Sequence, residues 1–154
     1  MNLAQKAAES LQRYKELMKG KYEESYIVDF EVETNPAKGV VTNPQTQVLL
    51  YHHVKPFASN LSASMHGGAI ATVANLSADI ISTAFDKTNR IHPHTIETQN
   101  SYHRPIDLNS KIGILVEVEK ASKRLFSARL TILDTSGRML VTGRTLKYFE
   151  TEKL

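Results

Sequence analysis

Apolar residues change rhythm several times along this chain of 154 residues, and each change marks a predicted element. Leu3, Ala7, Ala8, Leu11, Tyr14, Leu17 and Met18 recur at helical steps with Lys, Glu, Gln and Arg between them. With Gly20 as a C-cap, that spacing predicts an amphipathic N-terminal helix over residues 2–19, packed on the domain's edge. From Tyr26 to Glu33 apolar and polar residues alternate, which predicts a half-buried strand. Asn35-Pro36-Ala37-Lys38-Gly39 and Thr42-Asn43-Pro44 read as turns, and a second strand follows over 47–54, ending near Pro56. Between Asn60 and Asp86 the pattern changes again. Ile70, Val73, Ala74, Leu76, Ile80, Ile81, Ala84 and Phe85 leave little of one long helix to face water, so this helix is a buried one. Four further strands are predicted over 94–102, 111–120, 124–134 and 139–150. Ala121-Ser122-Lys123 joins the second of these to the third, and Thr135-Ser136-Gly137-Arg138 makes a hairpin turn into the last. No internal repeat and no low-complexity linker is present.

The order helix, two strands, one buried helix, four strands implies an α+β fold, an antiparallel sheet curled around the central helix. Length is that of one domain, 1–154. A many-stranded sheet exposes an edge, so pairing of copies is physically sensible. A hydrophobic fraction of 41% and a charged fraction of 23% are those of a globular chain. The net charge of +3 suits a phosphate-bearing ligand and is far from a nucleic-acid-binding signature. With no cysteine, disulfides, thiolate catalysis and thiolate metal sites are excluded. No apolar run is judged long enough to cross a membrane, and no signal-peptide core precedes residue 20, so the expected location is cytoplasmic. Glu9 and Glu16 argue against a mitochondrial transit peptide, and Glu152 replaces the small residue of a peroxisomal tripeptide at Glu152-Lys153-Leu154; neither organelle is thereby excluded.

Candidate chemistry gathers at the start of the central helix. His66-Gly67-Gly68 opens it, and the N–H groups of a first helical turn have no intrahelical acceptor. Such a turn is a ready site for a carbonyl oxygen or an anion. Taken alone, the glycine pair is equally a tight strand-to-helix turn. Thr72, Asn75, Asp79 and Ser82 lie at steps of three and four and form a polar stripe on the helix, of which Ser82 and Asp86 read as solvent-facing. His52-His53 and His92-Pro93-His94 could bring two imidazoles together, but no third ligand at metal-binding spacing accompanies them, so no metal is expected. No Walker loop, dinucleotide fingerprint or Gly-x-Ser-x-Gly elbow is present.

The ordered set resembles a known family. Asn60, then His66-Gly67-Gly68 six residues on, a long helix with a polar residue at 75, and Thr95-Ile96-Glu97 through Tyr102-His103-Arg104-Pro105 are similar to the hotdog-fold thioesterases of the phenylacetyl-CoA thioesterase type. The resemblance spans about residues 45–150. It implies a hotdog fold, a homodimer or homotetramer, and hydrolysis of acyl-CoA to free acid and CoA without metal or redox cofactor. It also implies roles. The Gly67 N–H would polarise the thioester carbonyl, Asn60 would help hold the reacting group, His66 would shape the loop, and Thr95 would orient the attacking water. Asn60, His66 and Gly67 of one subunit would face Asn75 and Thr95 of another. CoA phosphates would be gripped by part of a basic set, Arg104, Lys120, Lys123, Arg124 and Arg144, with His103 and Lys147 as further candidates.

One position departs from the pattern. The family carries an Asp nine residues after the His, as general base or nucleophile, and here that residue is Asn75. A carboxamide keeps the shape but has no useful basicity. Three readings are compatible with this: an Asp replaced by design to trap ligand, a natural member that binds acyl-CoA without cutting it, or transfer of the role to another carboxylate. For the last, Asp79 lies one turn further along the same face of the helix, and Glu97 lies two residues after Thr95, on one face of a strand.

Overall fold

A computed structural model describes residues 2–35, 40–88, 90 and 93–150. The turn at Asn35–Gly39 therefore falls largely outside the described residues, as do His92 and the C-terminal tripeptide. Helix α1 (Leu3–Leu17) starts at a reciprocal cap, the Asn2 side chain accepting from the Gln5 N–H and the Gln5 side chain from the Asn2 N–H. Its apolar face, Leu3, Ala7, Leu11 and Tyr14, is buried. That face does not sit at an edge. It lies against the central helix α3 (Gly67–Phe85), where the Ser10 hydroxyl donates to the Ile80 carbonyl and the Tyr14 hydroxyl meets that of Thr83 at 3.0 Å.

The strand expected over 26–33 is instead a short helix, α2 (Glu24–Ile27), followed by a three-residue strand β1 (Phe30–Val32). Tyr26, Ile27 and Phe30 are the buried residues there while Val28 is exposed, a one-four spacing that a helical turn satisfies and a pleat does not. The remaining strands are β2 (Gln47–His53), β3 (His94–Tyr102), β4 (Lys111–Ala121), β5 (Leu125–Leu133) and β6 (Met139–Tyr148), close to their predicted bounds. They form one antiparallel sheet in the order β1-β2-β4-β5-β6-β3.

The sheet wraps around α3. Val48, Leu50, Ile112, Ile114, Val116, Ala128, Leu130 and Ile132 share one core with Ile70, Val73, Ile80 and Ile81 of that helix. By length and composition α3 is apolar enough to cross a membrane, contrary to the sequence expectation, but here its apolar surface is taken up by the sheet and α1. Ser82 is likewise buried rather than solvent-facing, its hydroxyl donating to the Asp79 carbonyl. Asp86 holds the Arg90 guanidinium at 3.0 Å.

Strand β3 is the exception to this burial. It closes one edge of the sheet, pairs only with β6, and eight of its nine residues are exposed. An exposed edge strand of this length is a template for a further strand.

Candidate active site

Helix α3 begins at His66, whose extended backbone and side chain form the N-cap. His66 Nδ1 accepts from the Gly68 N–H at 2.9 Å, so the neutral ring carries its proton on Nε2. Gly68 leaves room for that bond, since a Cβ there would stand 3.2 Å from Nδ1. Gly67 is different. Nothing lies within 4 Å of where its Cβ would be, and its N–H, at the first helical position, has no intrahelical acceptor. An approachable N–H at the positive end of a helix can polarise a carbonyl.

Asn60 holds the loop before this turn. Its Oδ1 accepts from the Ser62 and Ser64 N–H groups, and its Nδ2 donates to the Ser64 hydroxyl. The loop is drawn against the helix start by the Ser59–Met65 bridge and by the His66 N–H bonding to the Ala58 carbonyl at 2.6 Å. Asn60 thus folds the loop, with one Nδ2 proton left over from these bonds.

A second cluster lies further down α3. Lys147 points from β6 to the helix, and its side chain is 0% exposed. Its ammonium lies 2.8 Å from Asp79 Oδ1, 2.7 Å from Asn75 Oδ1 and 2.8 Å from Thr95 Oγ1. Thr95 Oγ1 is itself 3.1 Å from Asn75 Oδ1. Asn75 and Asp79 are half-buried and line a cavity of about 390 Å³ with Met18, Tyr22, Glu23 and Pro93. Lys147 was a phosphate candidate by sequence. The structure removes it from that role, because a fully enclosed ammonium ion-paired to Asp79 cannot reach a solvated phosphate. Its inward direction has a sequence signal: Val141, Thr145, Lys147 and Phe149 share one parity, and all are buried.

Asn75 and Thr95 are therefore brought together, and Asp79 joins them. Glu97 does not. A bulge at Ile96 shifts the register, so Thr95 pairs with Lys147 while Glu97 pairs with Leu146, the next residue of β6. Cross-strand partners share a face and consecutive residues do not, so Glu97 points away from α3, where its carboxylate accepts from Gln99. The expectation that Thr95 and Glu97 share a face fails on that one inserted residue.

The two clusters are joined by β3. The hydroxyl of Tyr102, a residue of the resemblance to which the sequence assigned no role, donates to the Gly67 carbonyl at 3.2 Å, and Thr95 marks the other end of the strand at Asn75. The basic set is spread widely. Arg144 is on the outer face of the sheet and its guanidinium is taken by Glu119 through two bonds of 2.9 and 3.0 Å. Arg104 pairs with Leu140 at the start of β6, and Arg124 with Phe149 at its end beside Lys123. Those ends are nine residues apart, roughly 30 Å of strand. Lys120 is the penultimate residue of β4, just before the turn that carries Lys123 and Arg124. Of the histidines, His52 and His53 point to opposite faces of β2, and His94 stacks on Tyr148 with ring centroids 5.0 Å apart. Among the described residues no three His, Asp or Glu side chains gather as a metal site.

This architecture recurs in solved structures. Thioesterase superfamily member 2 from zebrafish matches 90% of this chain and 94% of its own, with a TM-score of 0.73 at 16% identity. The chain has the hotdog fold. The E. coli PaaI protein of the phenylacetic acid degradation operon matches with a TM-score of 0.68 over 94% of this chain and 96% of its own, at 10% identity. A hypothetical thioesterase protein from Streptococcus pneumoniae TIGR4, solved with coenzyme A, gives 0.64 over 81% and 91%, at 14% identity. No protein-family model matches the chain, and no curated protein does. At these identities the likeness establishes the fold.

Proposed function

We propose that the protein handles acyl-CoA as a dimer, in thioesterase fashion, with a site assembled from two copies of the chain. The observation that carries this reading is the separation of the two clusters on α3. Gly67 and Asn75 lie eight residues apart, about 12 Å along a helix. One thioester carbonyl cannot meet both within one chain. Strand β3 runs beside the helix with Tyr102 at the Gly67 end and Thr95 at the Asn75 end. Antiparallel pairing of two β3 edges about a two-fold axis would set the Gly67 end of one copy beside the Asn75 end of the other. The same operation would bring Arg104 of one copy toward Lys123 and Arg124 of the other, which supports a shared grip on CoA phosphates.

In the proposed reaction, water attacks the thioester carbon, the Gly67 N–H stabilises the developing oxyanion, and CoA leaves as the thiol, with no metal or redox cofactor required. Among the described residues weighed for the role at position 75, none is a free base. Asn75 cannot accept the water's proton, Asp79 is ion-paired with Lys147, and Glu97 faces away. Turnover is therefore expected to be slow. The second reading, an acyl-CoA binder that does not hydrolyse, is favoured by the same buried Lys147–Asp79 pair.

Titration with acyl-CoA while free thiol is followed tests both. Asn75→Asp sets two carboxylates on the single Lys147 ammonium, leaving one negative charge able to take the water's proton. It should therefore raise kcat by about 10²- to 10⁴-fold, the usual scale of general acid–base catalysis, with little change in KM. If Asn75→Asp changes nothing and Asp79→Asn abolishes hydrolysis, the base lies at 79. If acyl-CoA binds and no variant hydrolyses it, the binder reading replaces the enzyme.

A further inference from the structure

Lys147 is fully enclosed; its ammonium donates to Asn75 Oδ1 and Thr95 Oγ1 and is ion-paired with Asp79 Oδ1 at 2.8 Å. An ammonium accepts nothing, so the Asn75 atom facing it must be the carboxamide oxygen. The Thr95 hydroxyl, already accepting from Lys147, gives its own proton to the same oxygen at 3.1 Å. Both lone pairs of the Asn75 oxygen are then engaged. The amide nitrogen, with two N–H donors, occupies the other branch of the side chain, on a residue that lines the 390 Å³ cavity.

Charge supports the same arrangement. Lys147 and Asp79 neutralise one another, so a neutral carboxamide at 75 leaves the enclosed cluster without net charge. An Asp there would place two carboxylates on one ammonium. Asn75 is thus matched to its surroundings and is not an isolated loss of a base.

We infer that Lys147 is a positioning residue that turns position 75 into a hydrogen-bond donor for the carbonyl oxygen of a bound acyl group. The Lys147–Asp79 pair and the Thr95 hydroxyl clamp the Asn75 oxygen, and its N–H groups point at an acceptor on the ligand. This rests on the acyl-CoA reading above and names what position 75 does in it. The ligand class is a CoA conjugate with an acceptor oxygen at the acyl carbon.

The probes are two stable CoA thioethers of equal chain length, one with a ketone oxygen one carbon from sulfur and one a plain alkyl chain. Their affinities are measured by calorimetry, and the side-chain amide signals of Asn75, assigned by their loss in Asn75→Asp, are followed by ¹⁵N NMR. The ketone should bind on the order of tenfold tighter than the alkyl compound, the worth of one good hydrogen bond, and it alone should shift the Asn75 amide signals. Removing Lys147 alone would strand the Asp79 carboxylate, so the pair is removed together as Lys147→Met with Asp79→Leu. That double variant should keep the alkyl affinity and lose the tenfold preference, and Lys147→Gln, which retains donors, should keep part of it. Equal affinity for the two probes in the wild type, with unmoved Asn75 signals, overturns the donor role while leaving acyl-CoA binding intact. An undiminished preference in the folded double variant and in Lys147→Gln overturns the positioning role of Lys147. Binding of neither probe to the wild type overturns the acyl-CoA reading and this inference with it.

Discussion

His52 is an imidazole held where it cannot be charged. It is 2% exposed, its ring lies 4.7 Å from that of Phe30, and its strand partners are Phe30 and Ile112. Nδ1 is buried with no hydrogen-bond partner among the described residues. Burial, with smaller contributions from the charges of His53 and Lys55, lowers its pKa from 6.5 to about 4. The unfolded chain takes up this proton near 6.5 and the folded chain only near 4. The stabilisation is therefore complete above pH 6.5, falls as pH drops through that window, and is gone below about 4. A shift of this size corresponds to roughly 3 kcal/mol. Urea midpoints measured from pH 7 to 4 should fall accordingly in the wild type, and His52→Leu should flatten that slope. An equally steep slope in His52→Leu would assign the acid sensitivity to other groups.

At the scale of elements, the helix start and the bulged edge strand do the positioning. The His66 ring caps α3 through the Gly68 N–H, and the two glycines have separate duties. A methyl at Gly68 would crowd His66 Nδ1 at 3.2 Å, whereas one at Gly67 meets open space. Gly68→Ala should therefore loosen the cap at a cost on the order of 1 kcal/mol. Gly67→Ala should leave the denaturation midpoint nearly unmoved, since its methyl meets open space, while weakening acyl-CoA handling by adding bulk at the residue proposed to polarise the thioester. Thermal denaturation of both variants checks this, and a costlier Gly67→Ala would overturn the division of roles. The bulge at Ile96 has a comparable effect on β3, keeping Thr95 on the helix side and turning Glu97 outward.

For the whole molecule the exposed β3 edge is the governing feature. Nine residues of exposed strand edge, with the proposed two-copy site beside them, predict a species of at least twice 17.2 kDa in dilute solution, read by light scattering. Gln99→Lys with Ser101→Lys places like charges across a self-paired β3 and should shift the mass toward one chain. A wild type that stays monomeric across a wide concentration range would dismiss the composite site.

Local periodicity by itself determined the helix–strand order apart from α2, the buried character of α3 and the bounds of the later strands, because those patterns depend only on near neighbours in the chain. The His66-Gly67-Gly68 turn was legible for the same reason, since cap, glycines and helix are contiguous. Tyr26 and Ile27 were not, because a short amphipathic stretch satisfies either period until its neighbours select the buried face. Only the tertiary structure decided the surroundings of Asn75. Thr95, Asp79 and Lys147 come from β3, α3 and β6, and the face that Glu97 occupies follows from the register of β3 on β6. Lys147 in particular has the parity of the buried residues of β6, yet by residue type it reads as a surface cation. It is buried because an acid on α3 and two oxygens beside it replace its water, a condition that no stretch of the chain carries alone.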